Sequence, residues 1–269
     1  MKANGKVIVV TGGGSGIGRQ LVLDLLRRGA RVASVDISAE GMAETAQLAG
    51  EMSSRLSSHQ LNITDLAAVQ ALPDAVIAAH GAVDGIINNA GIIQRFIPFK
   101  DLTIAEIERV MNINYYGAIY MTKAFLPYLL QRPEAHIVNI SSMGGFLPVP
   151  GQTIYGSSKA AIKLFTEGLH SELKDTSVGV TVVFPGATAT NITVNSGLMT
   201  KEEQANLKSG HTIMNPADAA AATIIDAMEK NKYRVMVGKD AKMMDIYSRL
   251  MPEKAANLIY KSMKNLVPK

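Results

Sequence analysis

The sequence TGGGSGIG, residues Thr11–Gly18, lies between a short apolar run, Lys6–Thr11, and a helical pattern, Ile17–Arg28. Glycine allows the backbone to approach a pyrophosphate closely, which a Cβ would prevent. The helix that follows offers free N–H groups and the positive end of its dipole to the same anion. This order of elements predicts a dinucleotide-binding turn. The residues predicted to contact the dinucleotide there are Gly12, Gly14, Ser15, Gly16, Ile17 and Gly18.

The rest of the chain repeats this alternation of apolar runs and helical patterns. The runs are rich in Val and Ile, which is typical of strands buried on both faces. The predicted strands are Lys6–Thr11, Arg31–Asp36, His59–Asn62, Asp84–Asn88, Ala135–Ile140, Val178–Phe184 and Tyr233–Val237. The predicted helices are Ile17–Arg28, Ala39–Ser53, Leu66–His80, Ile104–Leu130, Thr153–Leu173 and Pro216–Lys230. Right-handed crossovers between such units predict an α/β fold, a Rossmann-type doubly wound parallel sheet of about seven strands with helices on both faces.

No linker, repeat or low-complexity segment interrupts the pattern, so residues 1–269 are predicted to form a single Rossmann-fold domain. After the last strand, residues 239–269 are predicted to form a helical C-terminal extension. Pro252 ends its first helix, and a second helix is predicted over Glu253–Leu266. The apolar stripe of the first helix consists of Met243, Met244, Ile246, Tyr247, Leu250 and Met251. We expect the extension to pack on its own domain, with a pocket lid or an anionic membrane contact as alternatives.

Composition excludes several classes of site. The 269 residues contain no cysteine, which excludes disulfides, thiolate metal sites and thiol catalysis. The five histidines are scattered, so no metal site is predicted. No apolar run approaches the roughly 18 residues of a transmembrane helix, and the N-terminal region lacks a signal-peptide core. The sequence therefore predicts a cytoplasmic protein.

The net charge of +4 is unevenly distributed along the chain. Residues Glu229–Lys269 contain ten Lys or Arg and four Asp or Glu, a local charge of +6, which leaves −2 for the remainder. A basic tail is most often a solvated helix face, and less often a contact for an anionic partner. No nucleic-acid partner is predicted.

Asp36 ends the second predicted strand, 18 residues after Gly18. A carboxylate at this distance can accept hydrogen bonds from both hydroxyls of an adenosine ribose and would repel a 2′-phosphate. The sequence therefore predicts NAD as the cofactor, with NADP less favoured. Arg19 keeps NADP open as an alternative, because its guanidinium could approach a phosphate.

Tyr155 and Lys159 are four residues apart on a predicted helix and therefore share one face. A nearby ammonium favours a phenolate, so we expect Lys159 to lower the pKa of Tyr155 from about 10 towards neutrality. That change would prepare Tyr155 for proton transfer. Ser142, at the end of a strand, can hydrogen-bond the oxygen of a substrate.

From Lys6 to Val237 the chain resembles the shorter, single-domain branch of the short-chain dehydrogenase/reductase family. The resemblance rests on motifs in the family's order and spacing. They are the glycine turn Thr11–Gly18, Asn88-Asn89-Ala90-Gly91, Asn114-Tyr115-Tyr116-Gly117, Ser142 thirteen residues before Tyr155, and Pro185-Gly186 with Thr190 after it.

The resemblance implies a catalytic set in which Tyr155 transfers a proton, Lys159 assists it, Ser142 orients the substrate and Asn114 holds a water. It also implies a cofactor cleft beyond the glycine turn, formed by Asn62, Ile63, Asn89, Ala90, Gly91, Tyr155, Lys159, Pro185, Gly186, Thr188 and Thr190. The implied activity is NAD(H)-dependent interconversion of a secondary alcohol and a ketone. A dinucleotide-binding sensor without catalysis is the alternative, and a homodimer or homotetramer is expected.

Three loops are predicted to select a small-molecule substrate: Ile92–Phe99, Met143–Gly151 and a lid over residues 191–215. They contain many apolar residues and few charges close to Ser142 and Tyr155, which favours an apolar substrate. The predicted substrate contacts are Ile93, Phe96, Met143, Phe146, Leu198 and Met199.

Overall fold

The computed structural model describes residues 1–200, 202–203 and 214–267, and its central feature is a seven-stranded sheet. The strands are β1 Val7–Thr11, β2 Arg31–Asp36, β3 Leu56–Gln60, β4 Gly85–Asn88, β5 Ala135–Ile140, β6 Val178–Pro185 and β7 Arg234–Val237. Their order is β3-β2-β1-β4-β5-β6-β7, and every pairing is parallel. The predicted Rossmann-type doubly wound sheet is therefore confirmed.

Helices connect successive strands and cover both faces of the sheet. They are α1 Gly16–Arg27, α2 Ala39–Ala49, α3 Leu66–His80, α4 Ile104–Met111, α5 Gly117–Leu129, α6 Thr153–Glu172, the short α7 Ile192–Asn195, α8 Ala217–Glu229, α9 Lys239–Leu250 and α10 Pro252–Met263. Short 3-10 turns follow α2 at Gly50–Arg55 and α10 at Lys264–Leu266.

Alternate residues of β1 belong to two separate apolar layers. Ile8 and Val10 pack in the layer that contains α1 and α8, whereas Val7 and Val9 pack in the layer that contains α3 and α5. This alternation follows from the period of two in an extended strand. Burial on both faces explains why β1 consists of consecutive apolar residues rather than an alternating pattern.

The edge strand β3 differs from the predicted strand His59–Asn62. Its register is set by β2, with Val32 opposite Leu56 and Asp36 opposite Gln60. The strand is half exposed and holds Ser-Ser-His in place of Val or Ile, so apolarity did not mark its beginning. Asn62 consequently follows the strand and lies in the loop beside the carboxyl end of the sheet.

Two predicted helices are shorter than expected. The helix predicted over Ala39–Ser53 ends at Ala49, because Gly50 has a φ of 55° and the chain continues as a 3-10 turn. The helix predicted over Ile104–Leu130 is interrupted by a π-helical turn, Asn112–Tyr116. Such turns are frequent at functional sites, and this one contains Asn114.

The C-terminal helices α9 and α10 pack on the loop that follows β5. Met244, Ala255 and Ile259 form a small buried cluster with Leu147 of that loop. The expected packing of the extension on the rest of the protein is therefore present. Among the residues that the structure describes, none belongs to a helix long and apolar enough to cross a bilayer.

Candidate active site

A cavity of about 790 Å³ opens at the carboxyl ends of β1, β2, β4, β5 and β6. This is the edge where open parallel sheets place their ligands, next to the point where strand order reverses on the two sides of β1. The cavity is lined by the glycine turn, the segment after β3, the loop after β4, the catalytic helix α6 and the segment after β6. Residues distant in the sequence thus meet in one cleft.

The glycine turn folds tightly against the start of α1. A Cβ at Gly18 would overlap the carbonyl oxygen of Gly12, so glycine is needed for the helix to pack on the turn. A Cβ at Gly14 would lie 3.0 Å from a carboxylate oxygen of Asp36. Gly12, Gly14, Ser15, Gly16 and Ile17 line the cavity, whereas Gly18 contributes packing behind it. The glycines therefore allow the turn to pack closely against α1 and Asp36 while its backbone lines the cavity.

Acidic side chains dominate the end of the cavity beside β2. Asp36 accepts hydrogen bonds from the backbone N–H groups of Gly14 at 2.9 Å and Ser38 at 2.9 Å. Glu40 and Glu44 also line this end. Arg19 is held by Glu44, with an Nη1–Oε1 distance of 2.6 Å. The cation that the sequence left open for a phosphate is thus already paired with a carboxylate.

The loops after β3 and β4 form the opposite wall of this end. Asn62 accepts hydrogen bonds from the backbone N–H and the hydroxyl of Thr64, at 3.0 and 2.9 Å. Ile63 packs against Gly117, where a Cβ would collide with it. The backbone N–H groups of Asn89 and Ala90 both donate to the hydroxyl of Thr11, at 3.0 Å each. Together these contacts fix the spacing between β1, β4 and the cavity wall.

Asn114 holds the loop after β4 in position. Its side-chain amide accepts from the backbone N–H of Ile92 at 2.8 Å and donates to the carbonyl of Ile92 at 2.9 Å. It also donates to the hydroxyl of Ser158 on α6 at 3.0 Å. A Cβ at Gly91 would lie 3.2 Å from both Asn114 Oδ1 and Lys159 Nζ. The side chain of Asn114 therefore positions the loop, and its water-holding role stays a prediction.

Ser142, Tyr155 and Lys159 line the same cavity. Burial raises the pKa of the Tyr155 phenol, and the hydrogen bond with Ser142 lowers that pKa to a smaller extent. Lys159 Nζ lies 6.0 Å from the centroid of the Tyr155 ring. The pKa of Tyr155 is therefore raised, contrary to the expected lowering, because burial opposes formation of the phenolate.

Lys159 is buried and donates to the backbone carbonyl of Ile140 at 3.0 Å. Desolvation lowers its pKa to about 8. Charging this amine is costly, because one hydrogen bond does not replace the hydration of an ammonium. Its retention in the wall of a cavity points to a functional role.

The structure places the predicted substrate contacts in different parts of the protein, and not all of them line the cavity. Ile93 lines the cavity. Met143 and Phe146 pack instead against the cluster that contains α9 and α10, and Phe146 lies edge-on to Phe184 with ring centroids 5.6 Å apart. Apolar side chains that were predicted to contact a substrate thus pack against the C-terminal extension.

The remaining predicted contacts, Phe96, Leu198 and Met199, lie outside the cavity lining formed by the described residues. The loop of Phe96 approaches Gly151, while Leu198 follows α7 and donates its N–H to the carbonyl of Thr193. Residues 201 and 204–213 of the predicted lid lie outside the described part of the chain.

The described part of the lid touches both sides of the cleft. Asn195 of α7 donates to the hydroxyl of Ser15 in the glycine turn at 2.7 Å. The buried hydroxyl of Ser196 accepts from the backbone N–H of Ile93 at 2.9 Å. Arg109 of α4, which sequence reasoning missed, lines the cavity and donates to the carbonyl of Ser196 at 3.3 Å.

Gln94 is a second residue that sequence reasoning missed. Its buried side chain accepts from the backbone N–H groups of Ile154 at 2.8 Å and Tyr155 at 2.9 Å, in the first turn of α6. It also donates to the carbonyl of Gly151 at 2.9 Å. Helix starts leave N–H groups without intrahelical partners, and Gln94 satisfies two of them from another loop. No pattern near Gln94 signals this contact, since the partners are about sixty residues away.

We expect Gln94→Ala to lower kcat roughly tenfold and the free energy of unfolding by about 2 kcal/mol, because two partly buried N–H groups at the start of α6 lose their acceptor. Steady-state kinetics and urea unfolding measure the two effects. Gln131→Ala, at an exposed position outside the cavity, is the matched control and should change neither. Normal kcat and stability in Gln94→Ala would show that α6 starts correctly without this contact.

Several known proteins are similar to this chain in sequence, in fold or in both. A family model for short chain dehydrogenase matches residues 6–201. The Mycobacterium tuberculosis protein SadH, named as an oxidoreductase, is 36% identical over 269 residues, covering 98% of this chain and 97% of SadH. The similarity therefore extends over nearly the whole length of both proteins.

Two solved structures share the architecture. A short chain dehydrogenase/reductase from Burkholderia phymatum in complex with NAD has a TM-score of 0.81 and 24% identity, covering 93% of this chain and 96% of that chain. The closed form of serine dehydrogenase complexed with NADP+ has a TM-score of 0.76 and 24% identity, covering 85% of this chain and 93% of that chain. At these identities the likeness shows the fold alone, and the two proteins bind different forms of the cofactor.

Proposed function

The chain belongs to the short-chain dehydrogenase family, and from that premise we propose that it uses NAD(H) to interconvert an apolar secondary alcohol and its ketone. The observation that supports this most strongly is the meeting of Ser142, Tyr155 and Lys159 in the same cavity as the glycine turn and Asp36. A proton-transfer group and a dinucleotide cradle are then within one cleft, as such a reaction requires.

The residues present fit a dinucleotide. The glycine turn presents Gly12, Gly14 and Gly16 to the cavity, where larger side chains would keep a pyrophosphate away from the backbone. We propose that the glycine turn and the start of α1 bind the pyrophosphate, that Asn62 and Ile63 flank the adenine, and that Lys159 binds the nicotinamide ribose. Asn89, Ala90, Pro185, Gly186, Thr188 and Thr190 complete the proposed cofactor contacts. When bound, the nicotinamide would accept or return the hydride of the carbinol carbon.

The charges beside β2 support NAD rather than NADP. Asp36, Glu40 and Glu44 line this end together, and Arg19 is engaged by Glu44. A 2′-phosphate would face this excess of carboxylates, whereas ribose hydroxyls can donate hydrogen bonds to Asp36.

Tyr155 is proposed to exchange the proton of the substrate oxygen. At neutral pH its raised pKa keeps the phenol protonated, so Tyr155 can donate to the alkoxide that develops when a ketone is reduced. Ser142 would donate a second hydrogen bond to the same oxygen, and the two hydroxyls would form an oxyanion site. In the reverse direction the Tyr155 phenolate would take the hydroxyl proton of the alcohol, so alcohol oxidation should accelerate as the pH rises.

The proposed substrate is apolar because Ile92, Ile93 and Ile192 line the same cavity as Ser142. Arg109 also lines the cavity, and its guanidinium donates to the lid backbone at Ser196. Incubating the protein with NAD and a panel of secondary alcohols, and following NADH absorbance, tests the proposed activity. NADH formation is expected with apolar alcohols. NAD binding without turnover of any alcohol or ketone would instead favour a dinucleotide sensor.

We expect Asp36→Ala to lower kcat/KM for NAD about 10- to 100-fold, because the ribose loses a charged hydrogen-bond acceptor. The kcat/KM for NADP should change little or rise, since a carboxylate that repels the 2′-phosphate has been removed. Steady-state kinetics with both cofactors measures the ratio, and Glu51→Ala, an exposed acid outside the cavity, is the control. An equal loss with both cofactors would contradict the assignment of Asp36 as the selector.

A further inference from the structure

The C-terminal helices expose an unusual amount of apolar surface. The exposed fractions of the residues are 76% for Leu250, 60% for Met243 and 50% for Ile246. Met251, Leu258, Tyr260 and Leu266 are also largely exposed. Single exposed apolar residues are common, but a contiguous group of them marks a contact surface.

Three of these residues form one stripe on α9. Met243, Ile246 and Leu250 are spaced by three and four residues, so they lie on one face of the helix. The buried residues Ala241 and Met244 occupy the opposite face. The helix is therefore apolar on two sides, and packing on the protein accounts for only one of them.

Lysines accompany this stripe. Lys239 and Lys242 lie on the same exposed side of α9, and Lys254, Lys261 and Lys264 are exposed on the following segment. None of these five forms an ion pair with a carboxylate of the described residues. We name Lys239, Lys242, Met243, Ile246 and Leu250 the tail face.

The acidic residues of this region do not neutralise the positive charge of the lysines. Asp245 is buried and is paired with Arg234 at 2.9 Å and also with Arg249. Asp240 is engaged by the backbone N–H of Ala187 at 2.8 Å. Glu253 is the one exposed acid of the described residues 239–267. The surface is therefore both apolar and strongly positive.

This combination argues against a second copy of the chain as the occupant. A two-fold interface places the same patch on both sides, so the unpaired lysines would face each other. Like charges across an interface oppose association. A partner with an apolar interior beneath a negatively charged surface layer fits both the apolar residues and the lysines of the tail face.

We propose that the tail face docks on a lipid surface that contains anionic headgroups. Met243, Ile246 and Leu250 enter the boundary between headgroups and acyl chains, while Lys239 and Lys242 contact the phosphates. The helix lies in the plane of the surface and does not cross it.

The docked helix is connected to the wall of the active-site cavity. Asp240, at the start of α9, receives the N–H of Ala187, which directly follows the cavity residue Gly186. Docking therefore places the cavity close to a phase in which apolar alcohols and ketones dissolve. The proposal does not depend on the reaction itself, because binding is measured without substrate.

Co-sedimentation of the NAD-supplemented protein with phosphatidylcholine vesicles, with and without about one third phosphatidylserine, tests the proposal. Binding is expected with the phosphatidylserine vesicles, and about 0.5 M salt should release most of the protein, because screening weakens the lysine contacts. Absence of binding to the anionic vesicles, or equal binding to neutral ones, would overturn the proposal.

Two variants separate the apolar and the charged contributions. Ile246→Glu with Leu250→Glu, and separately Lys239→Glu with Lys242→Glu, should each lower the bound fraction at least tenfold. Leu48→Glu and Lys100→Glu with Lys123→Glu change exposed residues elsewhere and should bind as the unmodified protein does. Thermal unfolding of all four checks that these exposed changes leave the fold intact.

Sedimentation equilibrium distinguishes lipid from a second copy. The proposal predicts the same assembly state for the unmodified protein and for Ile246→Glu with Leu250→Glu. An oligomer that dissociates in this variant, together with unchanged vesicle binding, would assign the tail face to a contact between copies and overturn the proposal.

Discussion

Tyr155→Phe is expected to lower kcat by about 10²- to 10⁴-fold in both directions, because the substrate oxygen loses its proton donor and acceptor. The dissociation constant for NADH should change less than threefold, since the proposed phosphate and ribose contacts lie elsewhere. Steady-state kinetics and NADH fluorescence titration measure these two quantities separately.

Tyr116→Phe is the matched control for this experiment. Tyr116 is exposed in the π-helical turn and does not line the cavity, so loss of its hydroxyl should leave kcat unchanged. If Tyr155→Phe kept near-normal turnover, the proposed role of Tyr155 would be refuted. If it lost NADH binding in parallel, the tyrosine would be a binding group rather than an acid and base.

Lys159→Met is expected to have two opposite effects. Turnover should fall at least 100-fold, because the change removes the cation beside Tyr155 that is proposed to bind the nicotinamide ribose. The free energy of unfolding should rise by about 1–3 kcal/mol near pH 7, since a buried amine that is costly to charge is replaced by an apolar side chain. Urea unfolding and kinetics on the same preparation measure both.

The pH dependence identifies the cause of the stability gain. Burial lowers the pKa of Lys159 from 10.5 to about 8, so between these values the unfolded chain binds more protons than the folded one. The free energy of unfolding of the unmodified protein should therefore rise with pH across this window. Below about pH 8 Lys159 is charged in both states, so the full cost of burying the ammonium is present.

The gain in free energy of unfolding from Lys159→Met should accordingly shrink as the pH approaches 10.5. Lys163→Met, a change one turn further along α6 at a lysine paired with Glu167, is the comparison and should not stabilise the protein. A lower stability of Lys159→Met than of the unmodified protein at pH 7 would show that Lys159 is a structural residue.

The sequence correctly indicates which residues meet in the cavity proposed to bind the cofactor, because the signals of the glycine turn and of the strand ends are short-range. Gly12 and Gly18 meet within one turn, and Asp36 ends the strand beside that turn. The segments after β3, β4 and β6 lie at the carboxyl edge of a parallel sheet whatever the details of packing. Nearly all of the predicted cofactor residues therefore line one cavity, although their contact with NAD stays a prediction.

The substrate side is predicted poorly, because it depends on packing between distant segments. Met143 and Phe146 could serve a substrate or a neighbouring helix, and only the position of α9 and α10 shows that they pack on that extension. Gln94 gives no local signal, since the helix start that it supports lies about sixty residues later. The start of β3 depends on its register with β2, which a short polar strand does not reveal.

The sequence also gives the wrong direction for the pKa of Tyr155. A spacing of four residues correctly places Lys159 on the same helix face, but it does not show how deeply both groups are buried. Burial opposes the charged form of each group, which raises the pKa of Tyr155 and lowers that of Lys159. Spacing alone therefore identifies the partners and leaves their protonation states undetermined.

The most direct test of the proposed reaction follows the hydride itself. The protein is incubated with NAD and an apolar secondary alcohol that carries deuterium on the carbinol carbon, and the NADH formed is analysed by mass spectrometry. We expect the deuterium to appear on the nicotinamide ring with the unmodified protein, and its transfer to be at least 100-fold slower with Tyr155→Phe. Unlabelled NADH, or equal rates of transfer in the two proteins, would contradict a hydride transfer assisted by Tyr155.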